Sequence, residues 1–207
     1  LFRSLPAEYF SRLHFIDNKV NIPDPSQKIN KSLEVVFIGR GAPQKRVHLI
    51  AAIAQRMNET KANVHFSFVG DVDKIINPSE YPYCTFYGNI KDRNKMQDVY
   101  ENSDVLLLTS AYEGLPIAVM EMMAHGKVVV STAVDGIPDY ISNGENGFLI
   151  NNDSDENKII EEGISILSKL VHDKILLTEV GQKSRLYAEQ HFSGKTFCEN
   201  YSGVIFR

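Results

Sequence analysis

"DVLLLTSAYEGLPIAVMEMMAHGKVVVST" (residues 104–132) decides the fold. Two short aliphatic runs, 104–110 and 127–132, flank a longer stretch with helix signals at both ends. Such runs read as strands, and a helix between them makes a crossover that pairs them in parallel. Pro116 suits the first helical turn, where its missing N–H costs nothing, and Gly126 supplies the stop. Within the helix, 115–124 holds nine apolar residues and a single carboxylate, Glu121, while Glu113 stands just outside the start. A helix that is apolar all round is normally buried, and burying an unpaired carboxylate costs several kcal/mol. Glu121 therefore needs a partner.

The same alternation extends outward in both directions. The segments 33–39, 63–70, 83–88 and 147–150 read as further strands, and 44–59 and 92–102 as helices between them. From residue 155 onward everything is helical, with Ile159, Ile160, Ile164, Leu167 and Leu170 at helical spacing. The expected fold is α/β: a doubly wound parallel sheet of about six strands with a helical carboxyl-terminal tail. Residues 1–30, with Pro23, Pro25 and Ser26, read as a linker or inter-domain remnant, and 31–207 as one domain.

At 207 residues, 43% hydrophobic and 23% charged, the composition is that of a soluble globular protein. The net charge of −4 gives no global field toward nucleic acid, so an anion site has to be local. Cys84 and Cys198 sit among apolar and aromatic neighbours and read as reduced thiols in a cytoplasmic protein. The six histidines show no metal-ligand spacing; His125 reads as a helix cap and His65 as packed or exposed on a strand. No apolar run approaches the roughly 20 residues of a membrane span. The chain opens on Leu1 rather than Met, as expected for a piece of a longer protein.

In open parallel sheets, ligands bind beyond the carboxyl ends of the strands. The first strand–helix turn reads "GRGAPQKR" (39–46), combining Gly39 and Gly41 with Arg40, Lys45 and Arg46. Unpaired N–H groups at such turns suit phosphate. The dinucleotide fingerprint fails because Gln44 holds the third glycine position, and Asp71 lies too far along to be its ribose acid. At the second turn, N–H groups near Gly114, Leu115 and Ile117 join the positive end of the helix dipole. A diphosphate there leaves a sugar near Glu113 and a ribose near Glu121, about 8 Å further along the helix. A carboxylate accepts two ribose hydroxyls well. The bland alternatives are a Glu113 that complements the dipole and a Glu121 on a narrow exposed stripe.

With those residues in view, "EGLPIAVME" resembles the Glu-x7-Glu motif of retaining glycosyltransferases with the GT-B fold, group 1 or family 4 type. The resemblance spans residues 33–192 and includes "VVFIGRGAPQKRVHLI", "FSFVGD" and "FYGNI" in order. It implies the carboxyl-terminal, Rossmann-like donor-binding domain of a two-domain hexosyltransferase. Such an enzyme uses a UDP- or GDP-linked sugar as substrate, with no cofactor and no metal. By resemblance, Arg40 and Lys45 bind the diphosphate and offset charge on the leaving nucleotide. Glu113, with backbone at Gly114 and Leu115, contacts the donor sugar. Glu121 holds the ribose, and backbone near Gly70 and Ile90 frames the base; Gly39 and Gly41 shape the turn.

The acceptor, a glycan or lipid-linked glycan as in bacterial surface polysaccharide synthesis, is implied to bind an amino-terminal domain absent from this chain. Any peripheral contact with the inner face of the membrane is implied to come from that domain too. The isolated chain is accordingly expected to be inactive. Two departures stand out: Arg46 where many members have Gly, and Asp139 where many have Glu. The alternative reading is a non-catalytic nucleotide-binding or interaction module of the same fold.

Overall fold

The structure, a computed structural model, describes residues 14, 16–25 and 30–205. Six strands, β1 (Leu33–Ile38), β2 (Val64–Val69), β3 (Thr85–Gly88), β4 (Val105–Leu108), β5 (Val128–Thr132) and β6 (Phe148–Ile150), form one sheet in the order β3-β2-β1-β4-β5-β6. Every pairing is parallel. β4 and β5 are buried along their whole length, which is why they read as continuous aliphatic runs rather than alternating ones.

The helices are α1 (Val47–Glu59), α2 (Arg93–Asn102), α3 (Ile117–Ala124), α4 (Ile137–Tyr140), α5 (Glu156–His172), α6 (Lys174–His191) and α7 (Gly194–Ile205). α1 packs on α5, and α3 packs on α6. The α3–α6 approach is close: a methyl at Gly181 would sit 2.4 Å from the Gly126 carbonyl oxygen, so neither side chains nor a wider spacing intervene. Arg185 donates to the Ala124 carbonyl at 3.0 Å and the Pro23 carbonyl at 2.6 Å.

Three local readings shift. Pro116 is the N-cap of α3, with ψ 136, rather than a member of its first turn. The first helix begins at Val47, after a single 3-10 turn at Pro43–Lys45 and a left-handed Arg46, rather than at residue 44. The short α4 was not legible as a helix at all. The expected linker 1–30 lies mostly outside the described residues. Of the part described, Asp17 accepts from the Tyr140 hydroxyl at 2.5 Å and the Val20 N–H donates to the Phe192 carbonyl at 3.0 Å.

β1 and β4 are neighbours although α1, β2, β3 and α2 lie between them in the chain, and the sheet winds outward in opposite directions from this pair. That places the turn after β1 beside the turn after β4, the position where such sheets bind ligands. Among the described residues, no helix is long and apolar enough to cross a membrane.

Candidate functional site

The two turns are bolted together by backbone and side chain. The Ala111 N–H donates to the Gln44 carbonyl at 2.7 Å, and the Tyr112 hydroxyl to the Gln44 amide oxygen at 3.0 Å. Thr109 Oγ1 reaches the Lys45 and Arg46 carbonyls at 3.2 and 3.0 Å. Thr132 Oγ1, on β5, donates to the Ser110 carbonyl at 2.6 Å.

Across this seam the Lys45 ammonium pairs with Glu113 Oε1, and both side chains are nearly buried, at 13% and 10% exposure. Ser110 Oγ donates to the same oxygen at 2.7 Å. The Glu113 backbone N–H donates to Asp135 Oδ2 at 2.8 Å, so main chain and carboxylate are each held from one side. Glu113 Oε2 has no partner among the described residues. An ammonium carries three donors, and Glu113 takes one, which leaves Lys45 able to meet a second anion.

Arg46 is not a third phosphate ligand. Its φ of 45 is left-handed, a conformation that favours glycine. The side chain turns inward, donating to the Thr109 carbonyl at 2.6 Å, the Ser110 carbonyl at 2.9 Å and Asn152 Oδ1 at 2.7 Å. Burial pulls its guanidinium below the usual value, with nearby Glu156 opposing that. The departure from the family pattern is therefore a clasp between the ends of β4 and β6. Arg40, by contrast, is exposed, and its guanidinium has no partner among the described residues.

The glycines divide between structure and site. A methyl at Gly70, whose φ is 122, would meet the Gly39 carbonyl oxygen at 1.8 Å, so the turn after β1 nests directly on the turn after β2. A methyl at Gly41 would meet the Asp71 carbonyl at 2.3 Å, and its N–H donates to Asp71 Oδ1 at 3.1 Å. That hydrogen bond, with help from Lys74, holds the Asp71 carboxyl below its ordinary value. Gly114 faces open space, and the N–H groups of Gly114 and Leu115 have no acceptor among the described residues. Gly70 and Ile90 line two adjoining cavities, of about 460 and 520 Å³, that share Asn89. Neither cavity is lined by Arg40, Lys45, Glu113 or Glu121.

Glu121 has the partner it needs. The buried Tyr100 hydroxyl donates to Glu121 Oε2. Burial raises the Glu121 pKa, and the Tyr100 hydrogen bond pulls it partly back. His125 caps α3 through Nδ1 to the Glu121 carbonyl at 2.7 Å and lies against the Tyr100 ring, centroids 4.9 Å apart. His65 bonds Thr85 Oγ1 at 2.9 Å on the sheet. Sequence reading missed Ser110, Asp135 and Tyr100. Ser110 stands three residues before Glu113 and could have been suspected; the other two have no local signal.

Among the described residues, the carboxyl end of the sheet at its switch point thus combines open amides, an unpartnered guanidinium and two half-engaged carboxylates. The family model for glycosyl transferases group 1 covers residues 32–169. The chain belongs to that family.

Members similar to this chain include CapM, a capsular polysaccharide biosynthesis glycosyltransferase of Staphylococcus aureus, 26% identical over 181 residues that cover 85% of this chain and 46% of CapM. Among solved structures, a mutant TarM of S. aureus in complex with Fondaparinux, alpha-GlcNAc-glycerol and UDP is 24% identical with a TM-score of 0.76, covering 91% of this chain and 38% of TarM. HepE of Anabaena in complex with UDP-glucose is 19% identical with a TM-score of 0.63, covering 84% of this chain and 49% of HepE. These structures establish the shared fold: a carboxyl-terminal GT-B half. The group 1 chain described here spans about a third to a half of the length of its curated relatives.

Proposed function

We propose that this chain is the donor-binding half of a retaining hexosyltransferase that moves a sugar from a UDP- or GDP-linked donor to a glycan or lipid-linked acceptor in surface polysaccharide synthesis. One observation carries the reading. Among the described residues the N–H groups of Gly114 and Leu115 have no acceptor and open at the entrance of α3, on the same seam as Lys45, while Arg40, in the turn after β1, has an unpartnered guanidinium. Together they form a compact receptor for a diphosphate, built from oriented amides and two cations. UDP or UDP-glucose in related GT-B structures is consistent with it.

In this reading Arg40 and Lys45 stabilise charge on the departing nucleoside diphosphate, in the role a metal fills elsewhere, and none is required. Glu113 turns Oε2 toward the donor sugar's hydroxyls while Lys45 and Ser110 hold Oε1. Glu121 offers its unoccupied Oε1 to the ribose. Glu113 acts here as a hydrogen-bond acceptor for the sugar rather than as a covalent nucleophile, in keeping with the front-face attack with retention that the family resemblance implies. The acceptor and the remaining catalytic groups belong to a preceding domain, so the isolated chain binds donor but transfers little.

Titration calorimetry with UDP, GDP and their hexose conjugates tests this directly. Saturable one-to-one binding with one base, weakened at least tenfold by Arg40→Ala, supports the reading. Uniform absence of binding for every nucleotide overturns it.

A further inference from the structure

Tyr100 stands outside every motif, yet it makes the one side-chain bond to Glu121 among the described residues. It lies in the last turn of α2, whose first turn follows the 88–92 stretch beside the Ile90 cavity. Its ring is buried and wedged against His125, whose Nδ1 holds the Glu121 carbonyl. The hydroxyl therefore has little freedom, and neither does the carboxylate oxygen it meets. Helical side chains lean toward the amino-terminal end of their helix, so Glu121 leans toward the α3 entrance. With Oε2 fixed by Tyr100, Oε1 is left as the acceptor facing outward.

We infer that Tyr100 is a positioning residue for ribose recognition: it locks the Glu121 carboxylate so that Oε1 accepts the donor's ribose hydroxyls. This rests on the donor-site reading above. Burying a tyrosine hydroxyl against a carboxylate is dearer than burying a phenylalanine, so a purely structural contact has a simpler apolar solution. The arrangement makes sense if the carboxylate must be present for a ligand and must not swing.

The test compares UDP and GDP with their 2′,3′-dideoxy counterparts, by calorimetry, on the wild-type chain, Tyr100→Phe and Glu121→Gln. Phenylalanine fills the same space, and thermal melts verify that the variants fold. The expected result is about tenfold weaker binding of the ribonucleotide to Tyr100→Phe with dideoxy binding unchanged, so the ribo/dideoxy ratio collapses as in Glu121→Gln. A Tyr100→Phe variant that keeps the wild-type ratio, whether both affinities fall together or neither moves, overturns the assignment while leaving the donor site standing. A wild-type chain that does not distinguish the two sugars also overturns it. A wild-type chain that binds no nucleotide overturns the donor-site reading, and this assignment with it.

Discussion

Lys45 and Glu113, 68 residues apart in sequence, form a nearly buried ion pair across the junction of β1 and β4. The pair joins the turn expected to hold phosphate to the residue expected to meet the sugar, so loss of either end disturbs both. Its worth follows from burial: a carboxylate or ammonium left alone there has no water to replace its partner.

Glu113→Ala is expected to destabilise the fold by about 3 kcal/mol, the low end for a buried pair because each side chain keeps some contact with water. Adding Lys45→Met removes the orphaned charge and should recover more than half of that loss. Urea unfolding of the two single variants and the double variant measures the coupling. An additive double variant contradicts the pair's structural role.

At Arg46 two effects oppose each other. Left-handed backbone costs a non-glycine residue on the order of 1 kcal/mol, while three hydrogen bonds from a charged donor contribute more. Both Arg46→Ala and Arg46→Gly should therefore lower stability. The glycine variant should stay about 1 kcal/mol the more stable of the two, since it sheds the backbone strain. Equal melting of the two variants contradicts the φ-based account.

Glu121 should cost stability at neutral pH. Its raised pKa means the folded state holds the proton more tightly than the unfolded chain. Its contribution is thus most favourable below the unfolded value of 4.5 and is lost as pH rises through the folded value. Glu121→Gln, which has no such titration, should gain in Tm relative to wild type on going from pH 4 to pH 7.5. A difference in Tm that stays flat across that range contradicts the burial of the charge.

Asp71 works in the opposite sense. Its depressed pKa, caused first by the Gly41 N–H, means that the Gly41–Asp71 hydrogen bond contributes above the unfolded value of 3.8 and fades as pH falls through the folded one. Asp71→Ala should speed hydrogen exchange at the Gly41 amide at pH 7 with little change at distant amides. Unchanged protection of Gly41 would mean the Gly41–Asp71 hydrogen bond does not form.

Much of the fold was legible because the strands that frame its central crossover, β4 and β5, are buried on both faces: "VLLL" and "VVVST" leave little room for another reading. α4 escaped because four residues including Pro138 are too short to show a period. The one-residue shift at Pro116 depends on a backbone angle, not on composition. Of the candidate site, Arg40, Lys45, Glu113 and Glu121 stood out in the sequence through the glycine-rich turn and the family resemblance, but not who holds whom. The Lys45–Glu113 pair exists because β1 and β4 are neighbours. The Arg46 clasp reaches Asn152, 106 residues away, from a left-handed position that an arginine gives no hint of. Tyr100 meets Glu121 only because α2 and α3 come together in the fold.

The central claim is that the open amides at the α3 entrance receive a nucleoside diphosphate. NMR titration of the isotope-labelled chain with UDP and GDP reads those amides one by one. Saturable shifts at Gly114 and Leu115, moving in step with Arg40 and Lys45, are the result expected for one of the two nucleotides. Binding that shifts other amides while Gly114 and Leu115 stay still would contradict the account.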